Sequence, residues 1–220
     1  ARKPERAVQI VVELVTRRIP ERFGLNGRSD VQVLCPMQRG ELGARNLNLV
    51  LQQVLNPSAP QVERYGWTFR LGDRVMQIVN DYEKEVFNGD VGSIAEIDPD
   101  EQCVTVAVDA RLVRYSFGEL DELALSYAVT VHKSQGSEYP CVLIPMTTAH
   151  YIMLQRNLIY TAVTRAKKFC VIVGQRKALW RAIRNARTTE RFSNLKVRLI
   201  DAVKGLPERS LAGNRIAEAP

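Results

Sequence analysis

The sequence contains no Gly-x-x-x-x-Gly-Lys-Ser/Thr segment, and no Gly-Lys dipeptide anywhere in its 220 residues. A loop that cradles nucleotide phosphates, with its Mg²⁺-holding hydroxyl, is therefore not encoded here. Histidine is scarce: His132 and His150 are the only two, and neither has a second His or Cys at metal-ligand spacing, which disfavours zinc. The four cysteines (Cys35, Cys103, Cys141, Cys170) are scattered with no Cys-x-x-Cys pair. They read as buried free thiols of a protein in a reducing cytoplasm rather than as a disulfide framework. No apolar run reaches the ~18 residues needed to span a bilayer, so no membrane partner is expected. The opening ARKPERAVQIVVELV lacks a small-residue cleavage site and reads as an amphipathic helix rather than a signal peptide.

What is present is an uneven distribution of charge. The net charge is +7, yet residues 71–125 carry 13 acidic side chains against 4 basic ones, and the segments on either side are both basic. Such a shift marks an inserted domain, and the basic flanks favour a polyanion such as nucleic acid. The flanks follow the α/β pattern. Val8, Val11, Val12 and Val15 recur at helical spacing over Arg6 to Arg18. The run Val31 to Cys35, stopped by Pro36, is predicted as a buried strand. Leu47, Val50, Leu51, Val54 and Leu55 trace one face of a helix ended by Asn56-Pro57. After the acidic segment the spacing predicts strands at 127–132, CVLIPM and FCVIVG, with helices over 157–168 and 175–186. Near-continuous apolar strands alternating with helices imply a parallel sheet covered on both faces. The acidic segment instead holds short β-rich runs (RVMQIV, VGSIAEI, CVTVAV, LVRYSF) between turn signals at Asn88-Gly89 and Asp98-Pro99, as in a small barrel. The boundaries expected are 1–68 and 125–187 for two parts of one α/β domain, 69–124 for the inserted barrel, and 188–220 for a basic tail.

Ligands in open parallel sheets bind at the carboxyl ends of strands. Three segments lie there or on a helix expected to reach there: Pro36 to Gly40, His132 to Glu138, and Tyr160 to Arg165. Singly each has a plain explanation. Arg39 and Arg165 could be solvated surface arginines, Gly136 could end a turn, and His132 could be a half-buried structural histidine, as His150 is read to be. Arg165, however, stands among the small residues of AVTRA, where a long cation needs a reason. Asp121-Glu122 does not follow a buried apolar strand, so it is not read as a metal-holding acidic pair.

Together, VLCPMQRGELG, RLGDRVMQIVNDYEKEVFNGDVG, TVHKSQGSEYP and LIYTAVTRAKK, in this order, resemble the RecD-type helicases of superfamily 1, over roughly residues 30–175. The last two stretches match that superfamily's motifs V and VI. The resemblance implies a RecA-like motor domain interrupted by an SH3-like barrel, acting with ATP and Mg²⁺ on single-stranded DNA. It implies Arg165 as an arginine finger with Arg39 as its helper. Gln135, Gly136 and Glu138 would close on the nucleotide, Glu138 on the ribose hydroxyls. Thr130, His132 and Lys133 would touch the DNA backbone, contacts that hold the strand without reading its sequence. A planar guanidinium delivered from outside the phosphate loop stabilises the charge that spreads over γ-phosphate oxygens during transfer. The phosphate loop and the Mg²⁺ ligands are then expected on a preceding motor domain of the same protein, and this chain alone should not hydrolyse ATP. Other recombination or repair subunits are further partners implied by the family.

Two alternatives stay open at this point: the helicase half of a conjugative relaxase, and a non-catalytic nucleic-acid-binding module that kept the fold. The acidic insert is also unresolved. Either a small basic face built from residues such as Arg74, Lys84 and Arg111 meets DNA, or the barrel faces a partner protein, because an acidic surface gains nothing from counterion release.

Overall fold

The computed structural model describes residues 4–186, together with Arg198 and Ile200, so the expected basic tail over 188–220 lies almost entirely outside the described residues. Helix α1 (Pro4–Glu13) runs through a π-helical turn (Leu14–Arg18) into α2 (Ile19–Phe23), and Ala7, Val11, Val15 and Ile19 form its buried stripe. Strand β1 (Val31–Cys35) is buried at all five positions, and α3 (Ala44–Leu55) follows it. A hairpin the sequence does not advertise comes next, β2 (Gln61–Arg64) and β3 (Trp67–Arg70). Its two-residue turn, Tyr65-Gly66, has positive φ at both positions (53° and 74°). That is the primed geometry whose twist matches the strands, and Gly66 supplies one of the left-handed positions without a Cβ penalty.

The acidic segment folds as β4 (Arg74–Gln77), β5 (Val91–Asp98), β6 (Cys103–Val108), β7 (Arg111–Ser116), a 3₁₀ turn (Phe117–Glu122) and β8 (Leu123–Leu125). These strands make one antiparallel sheet in the order β7-β6-β5-β4-β8. Because β4 pairs with β8, Val75 opposite Leu125, the insert leaves and rejoins the chain at one place. An insertion whose ends are neighbours costs the host domain little.

The host domain then resumes with β9 (Ala128–Thr130), β10 (Tyr139–Met146), α4 (Arg156–Val163), β11 (Ala166–Gly174) and α5 (Arg176–Arg184). Four strands form a wholly parallel sheet in the order β11-β10-β1-β9. One face packs Val31, Val33, Cys35, Cys141 and Leu143 against α1 and α3. The other packs Leu34, Val142, Ile144 and Met146 against α4 and α5 through Leu158, Ala162, Ala178 and Ala182. The expected α/β sheet with an inserted β unit is thus present.

Two elements differ from expectation. The strand expected over 127–132 ends at Thr130, where the chain tightens into a 3₁₀ turn (Val131–Ser134) held by Ser134 Oγ donating to the Val131 carbonyl at 2.8 Å. The helix expected over 157–168 stops at Val163. Thr164 Oγ1 bonds back to the carbonyls of Tyr160 (2.9 Å) and Thr161 (3.0 Å), and the chain turns into β11. Arg165 therefore sits in a turn, and Lys167 and Lys168 lie on a strand.

A buried carboxylate joins the two units. Asp73, fully buried, accepts hydrogen bonds from Gln52 of α3, from Asn56 that caps it, from the Arg70 backbone N–H and from the Tyr127 hydroxyl. Burial, and then the charge of Asp73, hold the Tyr127 phenol well above its usual range. Asn48 adds a second tie, donating to the carbonyls of Leu125 and Ala128 and accepting from the Ala128 N–H. The cysteines are unpaired, three buried and Cys170 half-buried. Burial pushes the Cys141 thiol up to about 12 and raises the Cys35 thiol as well.

Candidate nucleotide and nucleic-acid site

In a parallel sheet, a residue that follows a strand lies at the carboxyl edge and one that precedes a strand lies at the amino edge. This rule divides the predicted residues into two groups. Thr130 ends β9, with His132 and Lys133 just beyond it, and both of these side chains are exposed. Gln38 and Arg39 follow β1, and Arg39 lines a cavity with Met37, Thr147 and His150, the last two following β10. All of these belong to the carboxyl edge.

Ser137 and Glu138 immediately precede β10, and Arg165 immediately precedes β11. These belong to the amino edge. The structure brings them together: Arg165 Nη1 donates to the Ser137 carbonyl at 3.2 Å and Nε to the Thr161 carbonyl at 3.3 Å, while Tyr139 N–H donates to the Arg165 carbonyl at 2.9 Å. Glu138 pairs with Lys167 at 3.5 Å, and both side chains are more than half exposed. Lys167 was not singled out by the sequence reading. The RAKK run carries it, but its relevance appears only once the helix is seen to end before it.

The segment 131–138 crosses from one edge to the other. It begins beside Lys133, runs through the exposed Gln135 and Gly136, and ends at Glu138. Gly136 has φ +87°, a backbone setting that other residues adopt only with strain, and open space where a Cβ would be. Gln135 and His132 line a groove shared with Gln155, Asn157 and Thr161 of the α4 region.

Arg39 does not join Arg165. The eight residues of β10 separate the two edges, roughly 23 Å at the usual strand rise of about 3.3 Å per residue. Two arginine side chains cannot close that distance onto one phosphate, so the expectation that Arg39 assists Arg165 at one γ-phosphate does not fit the fold. The reason is topological: one residue follows a strand and the other precedes one.

The cations considered for a basic face on the insert are all engaged internally. Lys84 bridges Asp81 (2.7 Å) and Glu119 (2.8 Å). Arg111 pairs with Glu85 at 3.2 Å. Arg74 donates to the carbonyls of Arg28 and Ser29 and lies 5.6 Å from the Tyr139 ring centroid. Arg74 and Lys84 are thus committed within the fold, whereas Arg111 and its partner Glu85 remain half or more exposed. Asp121 and Glu122 end a 3₁₀ turn, and Glu122 accepts from Gln77 Nε2 at 2.9 Å. Among the described residues no group of three His, Cys, Asp or Glu side chains is arranged to hold a metal ion, and no helix is long and apolar enough to cross a membrane.

The model of the ATP-dependent RecD-like DNA helicase SH3 domain matches residues 47–108, and that of the UvrD-like helicase C-terminal domain matches residues 125–173. The chain belongs to the RecD-type superfamily 1 helicases. It is 44% identical over 143 residues to the ATP-dependent RecD2 DNA helicase of Deinococcus radiodurans, a match covering 65% of this chain and 20% of that protein. It is 33% identical over 184 residues to the RecBCD enzyme subunit RecD of Mycobacterium tuberculosis, covering 80% of this chain and 31% of that subunit. The chain thus spans a fifth to a third of these relatives. Among solved structures, the Pif1 helicase from Bacteroides in complex with ADP-AlF3 and ssDNA superposes with TM-score 0.54 at 17% identity, over 90% of this chain and 49% of that one. That likeness establishes the fold: a RecA-like parallel sheet of the helicase type carrying an SH3-like insert.

Proposed function

We propose that this RecD-type region is one motor half of an ATP-driven DNA helicase, with the nucleotide against the amino edge of its parallel sheet and single-stranded DNA along the carboxyl edge. The observation that carries this reading is the 131–138 segment, which links the exposed Lys133 at one edge to Glu138 and the Arg165 turn at the other. Two relatives, an ATP-dependent helicase and a RecBCD subunit, and a structural neighbour bound to ADP-AlF3 and ssDNA support it.

In this reading Arg165 exchanges its two carbonyl acceptors for the γ-phosphate oxygens of ATP carrying Mg²⁺. Its present acceptors are neutral carbonyls at 3.2–3.3 Å, so these bonds are weaker than bonds in which the guanidinium meets an anionic phosphate oxygen. Glu138, released from its exposed pair with Lys167, accepts from the ribose hydroxyls. Gln135 and Gly136 line the approach, the glycine leaving room for the nucleotide. The phosphate loop and the Mg²⁺ ligands come from the other motor half. Thr130, His132 and Lys133 hold DNA phosphates, and Arg39 joins them there rather than acting as a second finger. A cytoplasmic setting and assembly with recombination or repair subunits belong to the same proposal, supported by a relative that is a RecBCD enzyme subunit.

The test is steady-state ATP hydrolysis, with and without single-stranded DNA, by these residues joined to a RecD-type phosphate-binding half. DNA-stimulated turnover that disappears in Arg165→Ala while nucleotide still binds is the expected result. Turnover unaffected by the substitution would end the finger assignment.

A further inference from the structure

The carboxyl edge holds an aromatic group that the helicase motifs do not include. Trp67 lies on β3, on the same face as Phe69, because side chains two apart along a strand share a face. Phe69 is fully buried in the core. Trp67, one pleat further out, is only half-buried, and it lines a recess with Gln38, Thr130 and Lys133. The Arg45 guanidinium stands 5.5 Å from its ring centroid. The hairpin that presents Trp67 is held firmly: Gln52 Nε2 donates to the Thr68 carbonyl at 2.7 Å, and the Tyr65 hydroxyl donates to the Gly118 carbonyl at 2.8 Å. The Arg45 backbone N–H donates to the Gln38 carbonyl at 3.1 Å, which fixes the helix start against the loop after β1.

We propose that Trp67 and Arg45 form a stacking platform for one nucleobase of single-stranded DNA, beside the phosphate contacts at Thr130 and Lys133. This rests on the DNA path proposed above and adds a base contact to a set that otherwise touches only backbone. Aromatic rings, indole among them, and guanidinium planes are side-chain surfaces on which unpaired bases stack. A cation over the ring also draws the polyanion toward it. Every base has a π-face, so the platform binds without selecting sequence, as a translocating strand requires.

The chain has two tryptophans, Trp67 and Trp180. Trp180→Phe therefore leaves Trp67 as the sole indole reporter, with no change at the platform. The experiment titrates this variant with a 12-residue oligothymidylate and with an abasic deoxyribose-phosphate strand of equal length. Binding is followed by anisotropy of the labelled strand and by Trp67 emission. Oligothymidylate should quench Trp67 in step with the anisotropy. The abasic strand should bind on the order of tenfold more weakly and leave the emission unchanged. Trp67→Leu, which keeps apolar bulk against the core, should lower oligothymidylate affinity to the abasic level and leave abasic binding as it was. Equal binding of the two strands with unquenched Trp67 would overturn the platform while leaving the DNA path standing. No binding of either strand would remove the DNA path itself, and the platform with it.

Discussion

At the carboxyl edge of the parallel sheet, His132, Lys133 and Arg39 stand exposed to solvent. At the amino edge, Arg165 is folded onto Ser137 and Thr161, and Glu138 is paired with Lys167. The first edge offers its charge outright and the second keeps its charge occupied. A track for a polyanion gains from permanently available cations, because each phosphate neutralised releases counterions. A guanidinium that must act only on a bound nucleotide is better held by weak bonds that a phosphate can outcompete. Exposed pairs such as Glu138–Lys167 contribute only about 0–1 kcal/mol, so opening them costs little. The short 131–138 segment reaches both edges, so a pull at Glu138 arrives at Lys133 through five peptide units.

The sharpest way to break this comparison is to exchange the roles of the two arginines. In a chain carrying the phosphate-binding half, Arg165→Ala should lower ATP turnover on the order of a thousandfold, read by steady-state hydrolysis. Arg39→Ala should leave turnover at saturating DNA nearly unchanged. Equal losses in the two variants would mean that the edges do not divide the work. The comparison also assumes one rigid sheet with a fixed insert, which Asp73 secures. Asp73→Ala leaves the partners Gln52, Asn56 and Tyr127 without their acceptor and should cost roughly 2–4 kcal/mol in urea unfolding; a loss near zero would show that the junction is held by other contacts.

A smaller effect sharpens the assignment of the DNA edge. Lys133→Ala and Arg39→Ala should each reduce the slope of log affinity for single-stranded DNA against log salt by about 0.7. Arg165→Ala should leave that slope alone. The smallest effect belongs to the insert. Hydrogen bonds from Lys84, followed by backbone donors, hold the Asp81 and Glu119 carboxyls below their usual range. Folded-state values below the unfolded ones stabilise at neutral pH, and that stabilisation is lost as pH falls through the folded values. Lys84→Met should lower the melting temperature slightly near pH 7, and the difference from the parent should shrink as the solution is acidified below the ordinary carboxylate range. A constant difference would show that Lys84 contributes through packing rather than charge.

Much of this was legible from residue order. Apolar runs at 31–35 and CVLIPM, punctuated by Pro36 and loop residues, defined the parallel strands, and the acidic, turn-rich middle announced an insert. The hairpin at 61–70 was hidden because Tyr65-Gly66 is a less familiar two-residue turn than Asn-Gly. The helix expected to run to Lys168 stops early because a threonine hydroxyl competes for backbone carbonyls, a local effect that periodicity does not register. Arg39 stands apart from Arg165 for a different reason: one follows β1 and the other precedes β11, and in a parallel sheet those positions lie at opposite ends. Trp67 belongs to the site region only through neighbours brought in from elsewhere in the chain, so no motif flags it, whereas Lys167 lies inside the RAKK run and gains its partner Glu138 only in the fold.

The thiols offer a practical opening. With Cys35, Cys103 and Cys141 enclosed and Cys170 partly covered, a single cysteine introduced at the exposed Ile152 or Tyr82 would be the first to react with a maleimide dye. Such a fluorophore could follow, in real time, how the domain answers nucleotide and DNA without first stripping the native sulfurs from the chain.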